Sequence, residues 1–228
     1  MLCGLVLVSL SSEAGAEKPK LPPAPVRDET HRFQAHIKTW RELQRQNVVM
    51  QQRDFSCGTA ALATVLRYQW GDNVTETQLL HEVALMLTAD ELRDRIERGL
   101  SLTDLRRLAV KQGYLASIGR LEFDKLRESK VPLIVGIIIN DYDHFVVYRG
   151  TVGEYVYLAD PARGNVRTPI HEFLEQWQKN LVLVVVKRGI DVAKFTSPLA
   201  VRPEESFLGE VNRLYLRDRT TRDIAPVP

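Results

Sequence analysis

A run of branched apolar residues in the second half of the chain restricts the possible folds more than any other segment. Residues 132–139 read Pro-Leu-Ile-Val-Gly-Ile-Ile-Ile and contain no charged side chain. Such a run, rich in residues branched at Cβ, is typical of a strand that is covered on both faces. Further strands are predicted at 144–149, 155–159 and 181–187, because turn residues separate these segments. The second half of the chain therefore predicts a sheet.

The first half of the chain has the periodicity of helices. Residues 57–68 form an apolar stretch rich in small side chains, which predicts a helix that is buried on most sides and ends near Gly71. Capping patterns and apolar spacing predict further helices over three segments: 75–87, 101–112 and 123–129. Helices first and strands second, with hairpin-length connections, favour an α+β fold in which helices pack on a largely antiparallel sheet.

The start of the chain has the composition of an export signal. Residues 1–10 are almost wholly apolar and lead to Ala14-Gly15-Ala16, a small-x-small pattern followed by charged residues. We therefore predict a secretory signal peptide over 1–16 and a periplasmic location. The apolar stretch is shorter than the roughly 20 residues that a spanning helix needs, so the mature protein is predicted to have no stable membrane span.

The rest of the chain divides into three predicted segments. Residues 17–47 are predicted to be a linker, richest in proline over 19–25, followed by an amphipathic helix over about 29–46 that packs one stripe on the core. The stripe consists of apolar residues at spacings of three and four: Phe33, Ile37, Trp40 and Leu43. One domain is expected over 48–188, and 189–228 is predicted to be an extension that is either solvated or docked.

Charge and motifs limit the classes of partner. The formal net charge is +2, which is too small to favour a nucleic-acid partner. The sequence has no glycine-rich phosphate loop and no cysteine and histidine spacing typical of zinc sites. Asp141, Asp143 and His144 lie so close together that a turn is favoured over a metal site. We therefore predict no nucleic acid, no metal and no cofactor.

Cys57 is the strongest candidate for a catalytic residue. It lies where a loop is predicted to become a helix, and the free N–H groups and the dipole of a helix N-terminus favour a thiolate. The other cysteine, Cys3, falls in the predicted signal peptide. The mature protein would then carry a single thiol in a compartment that favours disulfides, which indicates a use for it. The alternative is a small buried apolar residue.

A cysteine nucleophile needs a base and a residue that orients this base. Among the five histidines, His144 alone begins a predicted strand after a polar turn. Asp160 ends the next predicted strand, and two adjacent strands joined by a turn at 150–153 would bring these residues together. We therefore predict a hydrogen bond between His144 and Asp160, although Asp160 before Pro161 is also typical of a simple turn.

Acyl transfer also needs a donor for the developing oxyanion. Gln51 lies six residues before Cys57 and can place its side-chain amide beside the sulfur, together with the backbone N–H of Cys57. Its neighbour Gln52 is an equal candidate on residue type.

Three separated blocks resemble the C39 family of papain-like cysteine peptidases: Gln51-x5-Cys57-Gly58-x-Ala60, Asp143-His144-Phe145-Val146-Val147 and Ala159-Asp160-Pro161. The resemblance covers about 48–188 and implies a papain-like fold. By position it implies four roles: Cys57 as nucleophile, His144 as general base and acid, Asp160 as orienting carboxylate, and Gln51 as oxyanion donor in preference to Gln52. Transporter-borne members usually have aspartate immediately before the cysteine, whereas this chain has Ser56.

The resemblance implies a cysteine endopeptidase whose partner is a peptide or protein substrate, and the predicted signal peptide makes it an exported one. An exported, stand-alone C39-like protein with a proline-rich lead-in is most similar to peptidases encoded with bacterial functional-amyloid export systems. Amyloid subunits and an outer-membrane export pore are therefore the expected partners. Two alternatives stay open: a papain-like amidase or acyltransferase with the same catalytic residues, and a module of this fold that binds an exported substrate without cleaving it.

Overall fold

The structure is a computed structural model that describes residues 24–27, 32–35, 39–191, 196–202 and 205–206. It divides the chain into two compact units, residues 1–39 and 40–228. In the first unit, strand β1 (Ala24–Arg27) pairs with β2 (Arg32–Ala35) in the antiparallel sense. The predicted signal peptide lies outside the described residues.

The prediction of one continuous helix over 29–46 is wrong at residues 32–35 and confirmed at 40–44, while 29–31 and 36–38 lie outside the described residues. Residues 32–35 form β2, and helix α1 spans only Trp40–Gln44. Pairing with β1 satisfies backbone donors and acceptors just as a helix would, and apolar spacing alone does not distinguish these outcomes. Trp40 is 77% exposed, so the predicted apolar stripe does not pack on the core there, and Ile37 lies outside the described residues.

The predicted buried helix is present as α2 (Cys57–Thr64), which a π-helical turn at Val65–Gln69 continues. All eight residues of α2 are buried. A short 3-10 turn, Asp54–Ser56, leads into it. The other helices described in this unit are α3 (Glu76–Met86), α4 (Ala89–Arg98), α5 (Leu102–Lys111), α6 (Phe123–Arg127) and α7 (Ile170–Gln176). The sequence prediction omits α4, although Thr88 and Glu91 form a capping box at its start.

The second unit contains a six-stranded sheet. Its strands are β3 (Leu115–Arg120), β4 (Leu133–Ile139), β5 (Tyr142–Val152), β6 (Tyr155–Asp160), β7 (Gly164–Pro169) and β8 (Trp177–Val186). Their order is β3-β8-β4-β5-β6-β7, and all neighbouring pairs among the described residues are antiparallel. This arrangement confirms the predicted α+β fold. The prediction omits β3 and β7, which are the two edge strands.

Strand β4, the apolar run, separates two apolar clusters. Ile134 belongs to the cluster that contains buried residues of α2, α3 and α5. Val135 and Ile137 belong to a second cluster, together with Phe173 of α7. Both faces of β4 are therefore covered, as predicted, and this central strand holds its neighbour β5 in a fixed position.

Part of the predicted C-terminal extension docks on the domain. Leu199 is 1% exposed and lies in the core cluster with α2. Arg149 of β5 donates hydrogen bonds to the carbonyl oxygen of Leu199 at 2.8 Å and to Glu205 at 2.7 Å. Among the helices of the described ranges, none has the length and apolar character needed to cross a bilayer.

Candidate active site

Cys57 is the first residue of α2, carries a free thiol and is 3% exposed. Helix α2 packs on β5, the strand that contains His144. A Cβ atom added at Gly58 would lie 3.1 Å from Leu105 and 3.3 Å from Phe145. The missing side chain at position 58 therefore lets the start of α2 approach β5 closely.

His144 and Asp160 meet across neighbouring strands. His144 lies near the start of β5 and Asp160 ends β6, and His144 Nε2 lies 2.8 Å from Asp160 Oδ1. The turn that connects β5 and β6 is at residues 153–154, so the predicted turn at 150–153 begins too early. Gly150 instead lies beside a register shift within β5. Antiparallel pairing of β5 and β6 thus brings the imidazole and the carboxyl group together.

Asp160 is completely buried and is surrounded by donors. Besides His144, its Oδ1 accepts from the backbone N–H of Ala162 at 2.8 Å and of Arg163 at 3.2 Å. Its Oδ2 accepts from Arg163 Nε at 2.6 Å. Burial alone would raise the pKa of this carboxyl group, but the hydrogen bonds and charges of His144 and Arg163 outweigh burial and lower the pKa to about 2.

The His144 ring interacts with both Asp160 and Cys57. Its burial is the largest single influence and lowers its pKa, yet hydrogen bonds with Asp160 and with Cys57, and the charges of both, raise the pKa from 6.5 to about 9. Since Nε2 is engaged by Asp160, Nδ1 is the nitrogen left for the Cys57 sulfur. A protonated ring in this position can give a proton to a departing amine, and the neutral ring that remains can then take a proton from water.

Gln51 lies in the loop before α2 and is tied to the Asp160 turn. Its backbone N–H donates to the carbonyl oxygen of Pro161 at 2.9 Å. Its side-chain Nε2 donates to the carbonyl oxygen of Arg53 at 3.2 Å, while Oε1 is buried without a hydrogen-bond partner among the described residues. Gln52, the rival candidate, is exposed. The structure therefore brings the loop of Gln51 and the loop of Asp160 together.

Ser56 stabilises the turn that precedes Cys57. Its hydroxyl donates to the carbonyl oxygen of Arg53 at 2.7 Å and accepts from the N–H of the same residue at 3.2 Å. Ser56 is completely buried. The serine thus closes the turn with a neutral group at the position immediately before the sulfur.

Two residues of the site are absent from the sequence prediction. Arg163 binds Asp160 through its side chain, and its position three residues after the aspartate was the available signal. Tyr142 donates from its hydroxyl to the carbonyl oxygen of Asp54 at 2.8 Å, across 88 positions, and no local pattern indicates such a contact. Burial is the main cause that raises the pKa of Tyr142, and the charge on Cys57 adds to it. Within the described residues, no group of three or more histidine, cysteine or acidic side chains could hold a metal ion.

The antiparallel sheet with helix α2 packed on it has the architecture of a papain-like peptidase domain. Residues 45–189 match the model of the Peptidase C39 family. The chain belongs to this family.

Individual relatives agree with this assignment. The chain is 35% identical over 168 residues to the "Probable functional amyloid protease FapD" of Pseudomonas aeruginosa, across 74% of this chain and 71% of that protein. The peptidase domain of Streptococcus ComA, a bi-functional ABC transporter, has the same fold, with a TM-score of 0.52 and 20% identity over 62% of this chain and 98% of that domain. A double glycine motif protease from an AMS/PCAT transporter, solved in complex with the leader peptide, gives a TM-score of 0.50 and 28% identity, covering 61% of this chain and 90% of that one. The family and the papain-like fold expected from the sequence are thus confirmed.

Proposed function

We propose that this chain is an exported cysteine endopeptidase that acts on a secreted protein, with Cys57, His144 and Asp160 as its catalytic residues. The observation that carries the proposal is the shared imidazole of His144. It is hydrogen bonded to Asp160 at 2.8 Å, and its interaction with Cys57 contributes to its raised pKa. Family membership supports the peptidase class, and the three residues account for its chemistry.

In the proposed reaction, the Cys57 sulfur attacks the carbonyl carbon of a peptide bond and forms a tetrahedral intermediate. The protonated His144 ring gives its Nδ1 proton to the departing amine, the C–N bond breaks, and a thioester is left on Cys57. His144 then takes a proton from water, whose oxygen attacks the thioester. The C–S bond then breaks, the carboxylic acid product leaves, and the thiolate of Cys57 again faces a protonated His144.

The proposed oxyanion site consists of the Gln51 amide and the backbone N–H of Cys57. An amide nitrogen carries two hydrogens, and one of those on Gln51 Nε2 is directed at the Arg53 carbonyl oxygen. This bond fixes the rotation of the side chain and leaves the second hydrogen for the oxyanion. Losing one such donor typically costs about 100- to 1000-fold in rate.

We further propose that the substrate is a subunit or accessory protein of a functional-amyloid export system in the periplasm. The supporting observation is the 35% identity to a protein named as a probable functional amyloid protease. The apolar start and the small-x-small pattern at residues 14–16 support export.

Cleavage of exported proteins tests the peptidase proposal. The wild type, Cys57→Ala and His144→Ala are each incubated under reducing conditions with exported proteins of the source organism, and new N-termini are mapped by mass spectrometry. His171→Ala is the matched control, since this exposed histidine lies on α7. We expect new termini with the wild type and His171→Ala, and none with the other two variants. Unchanged processing by Cys57→Ala would refute the proposal, and deamidated or crosslinked side chains without new termini would identify an amidase or acyltransferase instead.

A further inference from the structure

Glu76 is a buried acidic residue close to the candidate active site. It is the first residue of α3 and is 2% exposed. Its Oε1 accepts a hydrogen bond from the backbone N–H of Gln52 at 3.1 Å. Its Oε2 is buried and has no hydrogen-bond partner among the described residues.

This burial is not what the position of Glu76 alone favours. The next two residues of α3, Thr77 and Gln78, are exposed, and a glutamate in the first turn of a helix ordinarily extends into solvent. Burying a carboxyl oxygen without a partner is unfavourable. The inward orientation keeps the hydrogen bond between Glu76 and the Gln52 N–H, which would be lost if the side chain extended into solvent. We infer that this hydrogen bond serves a purpose.

The Gln52 N–H belongs to the peptide group that joins Gln51 to Gln52. Fixing this group fixes the backbone of Gln51 on its C-terminal side. On the N-terminal side, the N–H of Gln51 is held by the carbonyl oxygen of Pro161 at 2.9 Å. Both peptide groups that flank Gln51 are thus anchored, one by the loop after Asp160 and the other by Glu76. Because the backbone is held on both sides, the position of the Gln51 Cα atom and the direction of its Cα–Cβ bond are fixed.

We propose that Glu76 is a positioning residue that holds Gln51 in place to donate to the oxyanion during peptide cleavage. This inference rests on the proposed function, since it assigns Glu76 a part in the same site. Glu76 acts through its bond to Gln52 and touches neither the thiol nor the substrate. The bond requires an acceptor oxygen at the reach of a glutamate side chain, and it does not require a negative charge.

Three variants of Glu76 distinguish the effect of side-chain length from the effect of the negative charge. Glu76→Gln keeps an acceptor oxygen at the same reach, Glu76→Asp keeps the acid but shortens the side chain by one methylene, and Glu76→Ala removes the acceptor. Gln78→Ala is the matched control, because it weakens the capping box of the same helix, where Thr75 is the partner of Gln78, without contacting Gln52.

Turnover is measured with a fluorescence-quenched peptide built on the cleavage site mapped among the exported proteins. We expect kcat to fall about 10- to 100-fold in Glu76→Ala and Glu76→Asp, part of the loss seen when an oxyanion donor is deleted. We expect KM to change less than twofold, and Glu76→Gln and Gln78→Ala to stay within about threefold of the wild type. Alkylation of Cys57 by iodoacetamide has no oxyanion, so its rate should stay unchanged in all four variants.

Amide hydrogen exchange at Gln52 tests the positioning role without any substrate. Exchange of this N–H should accelerate at least tenfold in Glu76→Ala and Glu76→Asp, and should change little in Glu76→Gln and Gln78→Ala. Unchanged exchange in Glu76→Ala, a kcat within twofold of the wild type, or a parallel loss of alkylation overturns the inference. A wild type that cleaves nothing refutes the proposed function instead, and the exchange result still decides whether Glu76 holds the loop.

Discussion

The raised pKa of His144 leads to a quantitative prediction for Asp160→Asn. The pKa of the ring rises from 6.5 to about 9 against the effect of its own burial, and the hydrogen bond to Asp160 is the first of the causes that raise it. A rise of about 2.5 units corresponds to roughly 3 kcal/mol in favour of the protonated ring. Asparagine keeps an acceptor oxygen but removes the charge. Because burial stays the same, we expect the pKa of His144 to fall by about 1 to 3 units, the range for an opposite charge in contact.

A titration of the imidazole signals by NMR checks this prediction directly. Protein labelled with 13C-histidine is titrated from pH 5 to 10, and the His144 signal is assigned by its absence in His144→Gln. Cys57→Ser provides a comparison, since the charge and hydrogen bond of Cys57 also raise the pKa of His144; this variant should lower the pKa too. A wild-type His144 that titrates near 6.5, or an Asp160→Asn variant that titrates where the wild type does, contradicts the reasoning.

The same pKa shift predicts how activity depends on pH. A proton donor for the leaving amine must be protonated, so cleavage should persist through neutral pH and decline as the pH rises through about 9, the folded-state pKa of His144. In Asp160→Asn, the decline should begin at lower pH.

Three further predictions concern packing and acid stability. Gly58→Ala should lower the alkylation rate of Cys57 severalfold, because the new methyl group would press on Leu105 and Phe145. Its melting temperature should change little, since the gain in helix propensity of about 1 kcal/mol offsets part of the cost of overpacking. Leu199→Ala should lower the free energy of unfolding in urea by about 2–5 kcal/mol, as for other buried leucines. The lowered pKa of Asp160 should stabilise the fold above pH 3.8, with loss of that contribution as the pH falls toward about 2; urea unfolding between pH 2 and 5 should show a steeper loss in the wild type than in Asp160→Asn.

The sequence predicted the central strands and the residues that meet at the site for a simple physical reason. A run with no polar residue, such as 132–139, has few alternatives to a buried strand. Once β5 and β6 are taken as antiparallel neighbours, residues at the open end of the pair must lie side by side, and His144 and Asp160 are such residues. Their chemical roles stay predictions that the variants above test.

The remainder depends on contacts that no local pattern reports. Strands β3 and β7 lie at the sheet edges, where one partner strand supplies the hydrogen bonds and few residues are fully buried. The segment before Trp40 has helical spacing, yet part of it pairs as β2. Tyr142 and Glu76 reach the loop before α2 from distant elements. For β3, Tyr142 and Glu76 the partner lies far along the chain, whereas β2 and β7 each pair with the strand that precedes them.

Asp160 interacts with two side chains, Arg163 and His144, which differ in their exposure to solvent. Arg163 has a side chain that is 49% exposed, whereas the His144 side chain is 7% exposed. A half-exposed ion pair contributes at most about 1 kcal/mol, because water can replace the carboxylate around the guanidinium. The buried imidazolium has no such substitute, so it depends on Asp160 for its charge. Arg163 adds to the lowering of the Asp160 pKa after the larger effects of His144, so the buried imidazole is the principal partner of the aspartate.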